Sequence, residues 1–594
     1  MLCLLLVLVL AIVLRGESAL QLGKDWYAPG SFTLVNFDEA GSCRAALGAF
    51  DYSSFVGLQT LSIAAAQGLA VPADAHGNYR KSKALCHGEI HLRTARLYSA
   101  LLGGLTAGVL VLLGWQLFPA QPYLGLLAGA LLALCGWHMA ESHSATVDAP
   151  STFFIYSFFA AGLWAVRAEP GLRRYLRWTL AALLLVAAIW CKYWVFALLA
   201  LAVLIPLPLY GPFLEGISRS RGLTLLVAYA ALFGLLSNPA LAPWLRWCLP
   251  LLFYFLPPWR RLRVPGRSLL LLLPWLAPLA MQADLFVAFS SGGLLGRFGT
   301  DYGAIGWHKP LRNALNLPLV LLMGLGLPGF VLMLLGLREL WARVGVDGPG
   351  LAANGEVRPL GESGGVSFSI DRAWVVLLPL PAFALYMLFL APVTYYRHYL
   401  PLLPAACLLA ALGFTLGLRA AGPGVRTTIL VVLLLWQSVL AWDLLTDYHR
   451  DPRRALVDWY ASEQPGSVLA SYYVNTPPAT RARQGLFRVD DAQGPAQRLR
   501  RADYLILSEN WYDTAFANEL NGPLVGRPER LIKTTAQAVD FYRQALSGQH
   551  PLLEEVARFS APTFMPELIL HKRIYGSFTQ LVGDIVIFRV RDES

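Results

Sequence analysis

Apolar stretches of roughly 17 to 25 residues, the length that carries a helix across a bilayer core, recur along this chain between short polar turns. They fall at 95–118, 123–140, 149–166, 178–194, 195–212, 222–238, 241–256, 269–285, 316–337, 373–391, 399–418 and 427–445, and Met1 to Leu14 makes a shorter thirteenth. From Trp178 to Tyr210 the chain is apolar except at Lys192. As one helix this run would extend about 50 Å against a hydrocarbon core of about 30 Å, so it divides into two spans with the break near Cys191-Lys192-Tyr193. Beyond Trp442 the hydropathy falls for good. The remainder has strand-like runs at Val468 to Val474, Tyr504 to Leu507 and Ile585 to Val590, a helical pattern from Thr535 to Leu546, and a turn at Pro477-Pro478. The pattern predicts a polytopic α-helical membrane protein of 12–13 spans with a C-terminal α/β domain. Its segments are a first span or signal anchor (1–14), a polar loop (15–94), a multi-span region (95–445) and the C-terminal domain (446–594).

Composition agrees. Of 594 residues 56% are hydrophobic and 14% charged, and the mean hydropathy is +0.51, which excludes an ordinary soluble protein. The formal charge of +11 comes largely from arginines in short loops: Arg167, Arg173, Arg174, Arg177, Arg219, Arg221, Arg260, Arg261, Arg263, Arg267, Arg338, Arg343, Arg419 and Arg426. These mark the cytoplasmic side, so the charge implies no nucleic-acid partner. Alternation then places 15–94, 141–148, 286–315, 393–398 and everything after Asp447 on the external face. The first segment has no Lys or Arg before its apolar run and Arg15 after it, which fits a membrane anchor, a weak signal peptide or the remnant of a mis-called start. Residues 345–371, rich in Gly and polar residues, read as a flexible linker. The Leu, Ala and Arg bias points to a bacterial plasma membrane, and an endoplasmic-reticulum membrane satisfies the same topology.

Candidate chemistry gathers on the external side. Asp38 and Glu39 follow the first span; adjacent residues point in different directions, so one can face a site while the other anchors the loop. Asp148 precedes Ala149-Pro150 and suits a helix N-cap, a place from which it can also face a membrane-rim cavity. Lys192 and Arg397 sit in minimal turns, where a cation can hold an anionic lipid headgroup; His398 adjoins Arg397. Arg297 and Lys309 read as interfacial anchors. His76, Cys86, His87, Glu89 and His91 lack the HExxH zinc signature. They fit a juxtamembrane amphipathic helix, with a divalent metal as the alternative, and no metal ligands are assigned. Cys43 and Cys86 share the first loop, as a disulfide or as free thiols; the other cysteines, such as Cys135, Cys191 and Cys407, fall in or beside spans as small hydrophobes.

Several stretches follow in a familiar order: Phe37-Asp38-Glu39, Ala95-Arg96-Leu97-Tyr98-Ser99-Ala100-Leu101, Ser144-Ala145-Thr146-Val147-Asp148, Cys191-Lys192-Tyr193, and Tyr396-Arg397-His398-Tyr399-Leu400-Pro401-Leu402-Leu403-Pro404. In this order the chain resembles the GT-C class of glycosyltransferases, in particular protein O-mannosyltransferases and lipid A aminoarabinose transferases. The resemblance covers about residues 30–445. It implies inverting transfer of a hexosyl or pentosyl unit from a polyprenyl-phosphate donor (undecaprenyl- or dolichyl-phosphate) to an acceptor hydroxyl on protein, lipid or glycan at the external face. Asp38 would be the general base, Asp148 its supporting acid with Glu39 beside them, and Lys192, Arg397 and His398 would hold the donor phosphate. The chain departs from the class in its long first loop, in lacking a His-Pro-Pro stretch, and in lacking a WWDYG-like motif in the tail, which argues against asparagine-linked transfer of a whole glycan. The main alternative is a transporter or lipid flippase, though such proteins place charges in mid-membrane and carry paired repeats. A receptor or assembly protein whose tail binds a partner is the third reading.

Overall fold

Gly104 and Gly108, one helical turn apart, let two helices approach closely: a Cβ on either would lie 3 Å or less from Ile12 or Leu8. Small residues at this spacing are the usual means by which apolar helices pack in a membrane. Here they dock α1 (Leu2–Gln21) on α5 (Glu89–Leu117). In this computed structural model the described residues are 2–26, 29–35, 37–50, 52–166, 172–192, 308–346, 384, 387–388, 396–471, 474, 483–489, 495–521, 536–560, 563–575 and 583–591. The spans expected at 195–212, 222–238, 241–256 and 269–285, nearly all of 373–391, most of the 345–371 linker, and Arg297 lie outside them.

Between α1 and α5 the first loop folds into α2 (Gly41–Ala46), α3 (Phe55–Ala66) and α4 (Tyr79–Cys86). A Cys43–Cys86 disulfide closes it, across a sequence separation of 43. Then come α6 (Pro122–Ala133), α7 (Gly136–His143), α8 (Asp148–Val166), α9 (Leu172–Cys191), α10 (His308–Val346), α11 (Leu402–Leu412) and α12 (Pro423–His449). Among the described residues, α1, α5, α12 and the 314–342 part of α10 are each long and apolar enough to cross a bilayer; α6 and α7 are so together, bent by 54°. The expected span at 123–140 is thus a broken one, and α1 continues past Leu14 to Gln21.

The break has a cause. Arg15, buried on α1, donates to Ala133 O (2.9 Å) and Leu132 O (2.8 Å) at the end of α6, satisfying carbonyls that a continuing helix would have used. It also meets His138 Nδ1 at 3.1 Å.

The tail begins with α13 (Pro452–Glu463) and continues through β1 (Ser467–Ala470), β2 (Arg483–Leu486), α14 (Pro495–Leu499), β3 (Tyr504–Ser508), α15 (Glu509–Asn521), α16 (Ala536–Leu546), β4 (Leu553–Phe559), α17 (Pro566–Tyr575) and β5 (Ile585–Val590). The sheet order is β2-β1-β3-β5-β4. β1 pairs in parallel with β2 and β3, and β5 runs antiparallel to β3 and β4. Both faces are covered. Leu505, Leu507, Val586 and Phe588 pack with Tyr512 and Phe541, while Ile506, Ile585 and Ile587 pack with Leu456 and Tyr460 of α13. Burial on both faces explains why the central strands read as continuous apolar runs.

The tail is stitched to the membrane helices. α10 is interrupted at Gly326 (φ 61°), and Glu567 accepts from the Leu327 N–H at 2.9 Å and from Trp436 Nε1 at 2.8 Å. Asp443 accepts from Met565 N at 2.8 Å, and Met565 and Leu568 join the core of the helical region. The fold is that of a polytopic helical membrane protein with a C-terminal α/β domain.

Candidate active site

Asp38 and Glu39 stand in a 3₁₀ turn, Phe37–Ala40, that leads into α2. The turn is fixed from below by a close crossing: a Cβ on Gly57 of α3 would lie 2.0 Å from Ser42 O, and Ser42 Oγ accepts from Gly57 N at 2.8 Å. Only glycine fits there, so α3 lies against the backbone of α2 and holds the turn over the start of α8.

The two acids have different surroundings. Glu39 is buried and makes a two-pronged pair with Arg96 of α5, Nε to Oε1 and Nη2 to Oε2, both 2.8 Å. It also accepts from Val35 N at 2.8 Å and Ala145 N at 3.1 Å. Burial opposes its charge, but the Arg96 charge and these hydrogen bonds outweigh burial and lower its pKa. Arg96 reaches further, to Leu22 O and to Thr33 O (2.7 Å). There Gly23 (φ +70°) leaves no room for a Cβ, which would sit 2.3 Å from Thr33 O. One carboxylate therefore ties together the chain before the acidic turn, helix α5 and the segment before Asp148. No role for Arg96 was legible in the motif that contains it; the signal is an arginine two turns into an apolar helix, where a charge needs a partner.

Asp38 is part-exposed and forms an ion pair with Arg397, in a second 3₁₀ turn, Tyr396–Tyr399. Arg397 Nε lies 3.8 Å from Asp148 Oδ2. Lys192, the first residue after α9, pairs with the other oxygen of Asp148, the first residue of α8. Four residues from four distant parts of the chain thus form one alternating row: Asp38, Arg397, Asp148, Lys192. Burial works against the Arg397 charge, and Asp38 and then Asp148 overcome it, so its pKa is raised. Asp148 does not serve simply as an N-cap; its carboxylate is directed to the two cations. His398 is buried in the same turn as Arg397. Glu141 is also buried, within electrostatic reach of Asp148, Arg397 and Lys192; nothing in its pattern had marked it.

The second turn is placed by Tyr156, two helical turns along α8 from Asp148. Its hydroxyl donates to Pro401 O (2.7 Å) and accepts from Ala405 N (3.1 Å), standing inside what would be the first hydrogen bond of α11. The turn bearing Arg397 is thereby pinned to the helix bearing Asp148.

His91 of the first loop is used structurally. His91 Nδ1 meets Cys86 O at 2.9 Å and Nε2 meets Thr60 Oγ1 at 3.4 Å, while Cys86 is in the disulfide. Among the described residues no group of three or more His, Cys, Asp or Glu is gathered as a metal site.

No family model matches the chain and no curated protein matches it. Among solved structures, it is similar to the oligosaccharyltransferase AglB of Archaeoglobus fulgidus in complex with an inhibitory peptide and a dolichol-phosphate. The identity is 11%, over 99% of this chain and 88% of that one, with a TM-score of 0.45. A complex of the A. fulgidus oligosaccharyltransferase with Zn and sulfate gives 12% identity over 98% and 88%, with a TM-score of 0.40. ArnT from Cupriavidus metallidurans bound to undecaprenyl phosphate gives 14% identity over 87% and 94%, with a TM-score of 0.35. These neighbours are GT-C glycosyltransferases, the class that the sequence motifs resemble. At such low similarity the site has to be judged on this chain's own residues.

Proposed function

We propose that the chain is an inverting glycosyltransferase that moves a sugar from a polyprenyl-phosphate donor to an acceptor hydroxyl at the external face of the membrane. The observation that carries this reading is the row of Asp38, Arg397, Asp148 and Lys192 at the ends of apolar helices. It sets a part-exposed carboxylate beside two cations where a lipid phosphate would lie. The acceptor oxygen attacks the anomeric carbon, the bond from that carbon to the phosphate oxygen breaks, and the acceptor proton passes to Asp38. The charge that develops on the departing phosphate is met by Arg397 and Lys192. A guanidinium has five N–H donors, so Arg397 can keep Asp38 and still offer donors to phosphate. Asp148 holds both cations in place, and one displacement inverts the anomeric centre.

In this reading Asp38 touches the reacting atoms while Glu39 positions the turn, because both Glu39 oxygens are already filled. His398 is assigned to the donor side by its place beside Arg397. A divalent metal is not needed for any step. A bacterial plasma-membrane location is part of the proposal. The test follows labelled sugar in membranes holding a panel of polyprenyl-phosphate sugars. Label leaving the lipid only when the chain is present supports transfer; lipid moving between leaflets with no label transferred would replace it with a flippase.

A further inference from the structure

Where β3 begins and β5 ends, at one end of the tail sheet's central strands, lies a concavity of about 480 Å³ walled by Arg500, Arg501, Asp503, Tyr504, Arg589 and Arg591. None of the four residues of the row lines it. Helix α13 starts beside the end of α1, where Arg454 Nη2 donates to Gln21 O at 3.0 Å; its 12 residues rise roughly 18 Å. Strands β1 and β3 begin at that raised end: Asp503 Oδ2 accepts from Ser467 N at 2.7 Å, and Val590 N donates to Asp503 O at 2.9 Å. The opposite end of the sheet leads to α17 and its contacts with α10 and α12. The concavity therefore lies at the end of the sheet opposite the contacts with the membrane helices.

Its four arginines are exposed. Three acids lie near the four arginines, Asp503 in the wall and Glu554 and Glu463 within electrostatic reach of Arg589, so positive charge is in excess. Asp503 Oδ2 is engaged by Ser467, and Arg591 meets Glu554 only at 3.4 Å across an exposed pair, which is worth little. Arg589 hydrogen-bonds the Tyr504 side chain and lies 6.0 Å from its ring, and Trp459 packs edge-on against that ring at 5.1 Å, so one guanidinium is held by a packed tyrosine. Like charges gathered around a hollow repel each other and attract anions. Guanidinium forks match carboxylate and phosphate two bonds at a time, and the volume falls in the usual range for small-ligand sites, about 300–1,000 Å³.

We propose that this concavity binds an acidic saccharide through its carboxylate or phosphate groups, holding an acceptor or product chain at that end of the sheet. The saccharide class, as against an acidic peptide, rests on the transferase reading; the anion binding does not. The test uses full-length protein in neutral-lipid nanodiscs with four fluorescent probes: oligogalacturonate, a phosphorylated mannan oligosaccharide, a neutral malto-oligosaccharide and poly-glutamate. The two acidic saccharides should bind and the neutral one should not. Arg501→Ala/Arg589→Ala should weaken binding at least tenfold, and Arg501→Lys/Arg589→Lys, which keeps the charge, should weaken it less. Transfer to a small neutral acceptor should be unchanged in both variants. Saccharide binding unaltered by the substitutions, or no preference over the neutral probe, overturns the proposal, as does tighter binding of poly-glutamate. No donor is present in this assay, so a failed transfer reaction leaves its outcome intact.

Discussion

The Glu39–Arg96 network and the row from Asp38 to Lys192 begin one residue apart and differ in how completely they are satisfied. Glu39 receives four hydrogen bonds from Arg96, Val35 and Ala145, all of it buried. Asp38 keeps 29% of its side chain exposed, and Asp148 Oδ2 has no hydrogen bond, only the ion contact from Arg397 at 3.8 Å. A saturated network fixes geometry and has nothing left to offer a ligand. An incompletely satisfied one holds its charges ready. On the proposed reading the first network serves structure and the second serves chemistry.

The largest separation between them should appear in activity. Asp38→Asn should lower transfer by about 10²–10⁴-fold, the usual worth of a general base, with thermal unfolding in detergent unchanged. Arg96→Leu should act the other way round: it strands Glu39 without its cation and should cost about 3–5 kcal/mol of stability, read by denaturant or thermal melting. Glu39 also predicts a pH dependence. Its pKa is lowered in the folded state, so its contribution is complete above the ordinary value of 4.5 and lost as pH falls through the lower folded-state value. Glu39→Gln should flatten that acid limb of the melting profile.

Smaller effects follow for the supports around the two networks. Replacing Cys43 and Cys86 by Ser should destabilise the first loop by about 2–4 kcal/mol, measured as earlier local unfolding by hydrogen exchange at the acidic turn. Tyr156→Phe removes the hydroxyl between Pro401 and Ala405 and should cost about 1–2 kcal/mol. Because that hydroxyl places the Arg397 turn, donor KM should rise more than kcat falls.

Much of this was legible in the sequence because one physical rule governs it. Charges beside hydrocarbon are costly, so Asp38, Asp148, Lys192 and Arg397 stood out against apolar surroundings, and alternation put them on one face. The break at Cys191-Lys192 was visible for the same reason, and α9 does end at Cys191. The central strands β1, β3 and β5 were visible as apolar runs. Strands β2, Arg-Gln-Gly-Leu, and β4, Leu-Glu-Glu-Val-Ala-Arg-Phe, were not, since edge strands bury one neighbour only and their patterns are mixed. Pairings across 57 to 249 residues left no local mark: Glu39 with Arg96, Tyr156 with Pro401 and Ala405, Glu567 with Leu327 and Trp436. Nor did the bend between α6 and α7, whose cause is Arg15 on another helix.

The most direct measurement compares labelled-sugar transfer by Asp38→Asn and Glu39→Gln, side by side, at matched amounts of folded protein and at a temperature where both remain folded. Asp38→Asn should be inactive with an unchanged melting temperature, while Glu39→Gln should transfer sugar in the cold and lose activity only as it melts. Substantial transfer by folded Asp38→Asn, or an inactive Glu39→Gln that melts like the native chain, would contradict these roles for the two acids.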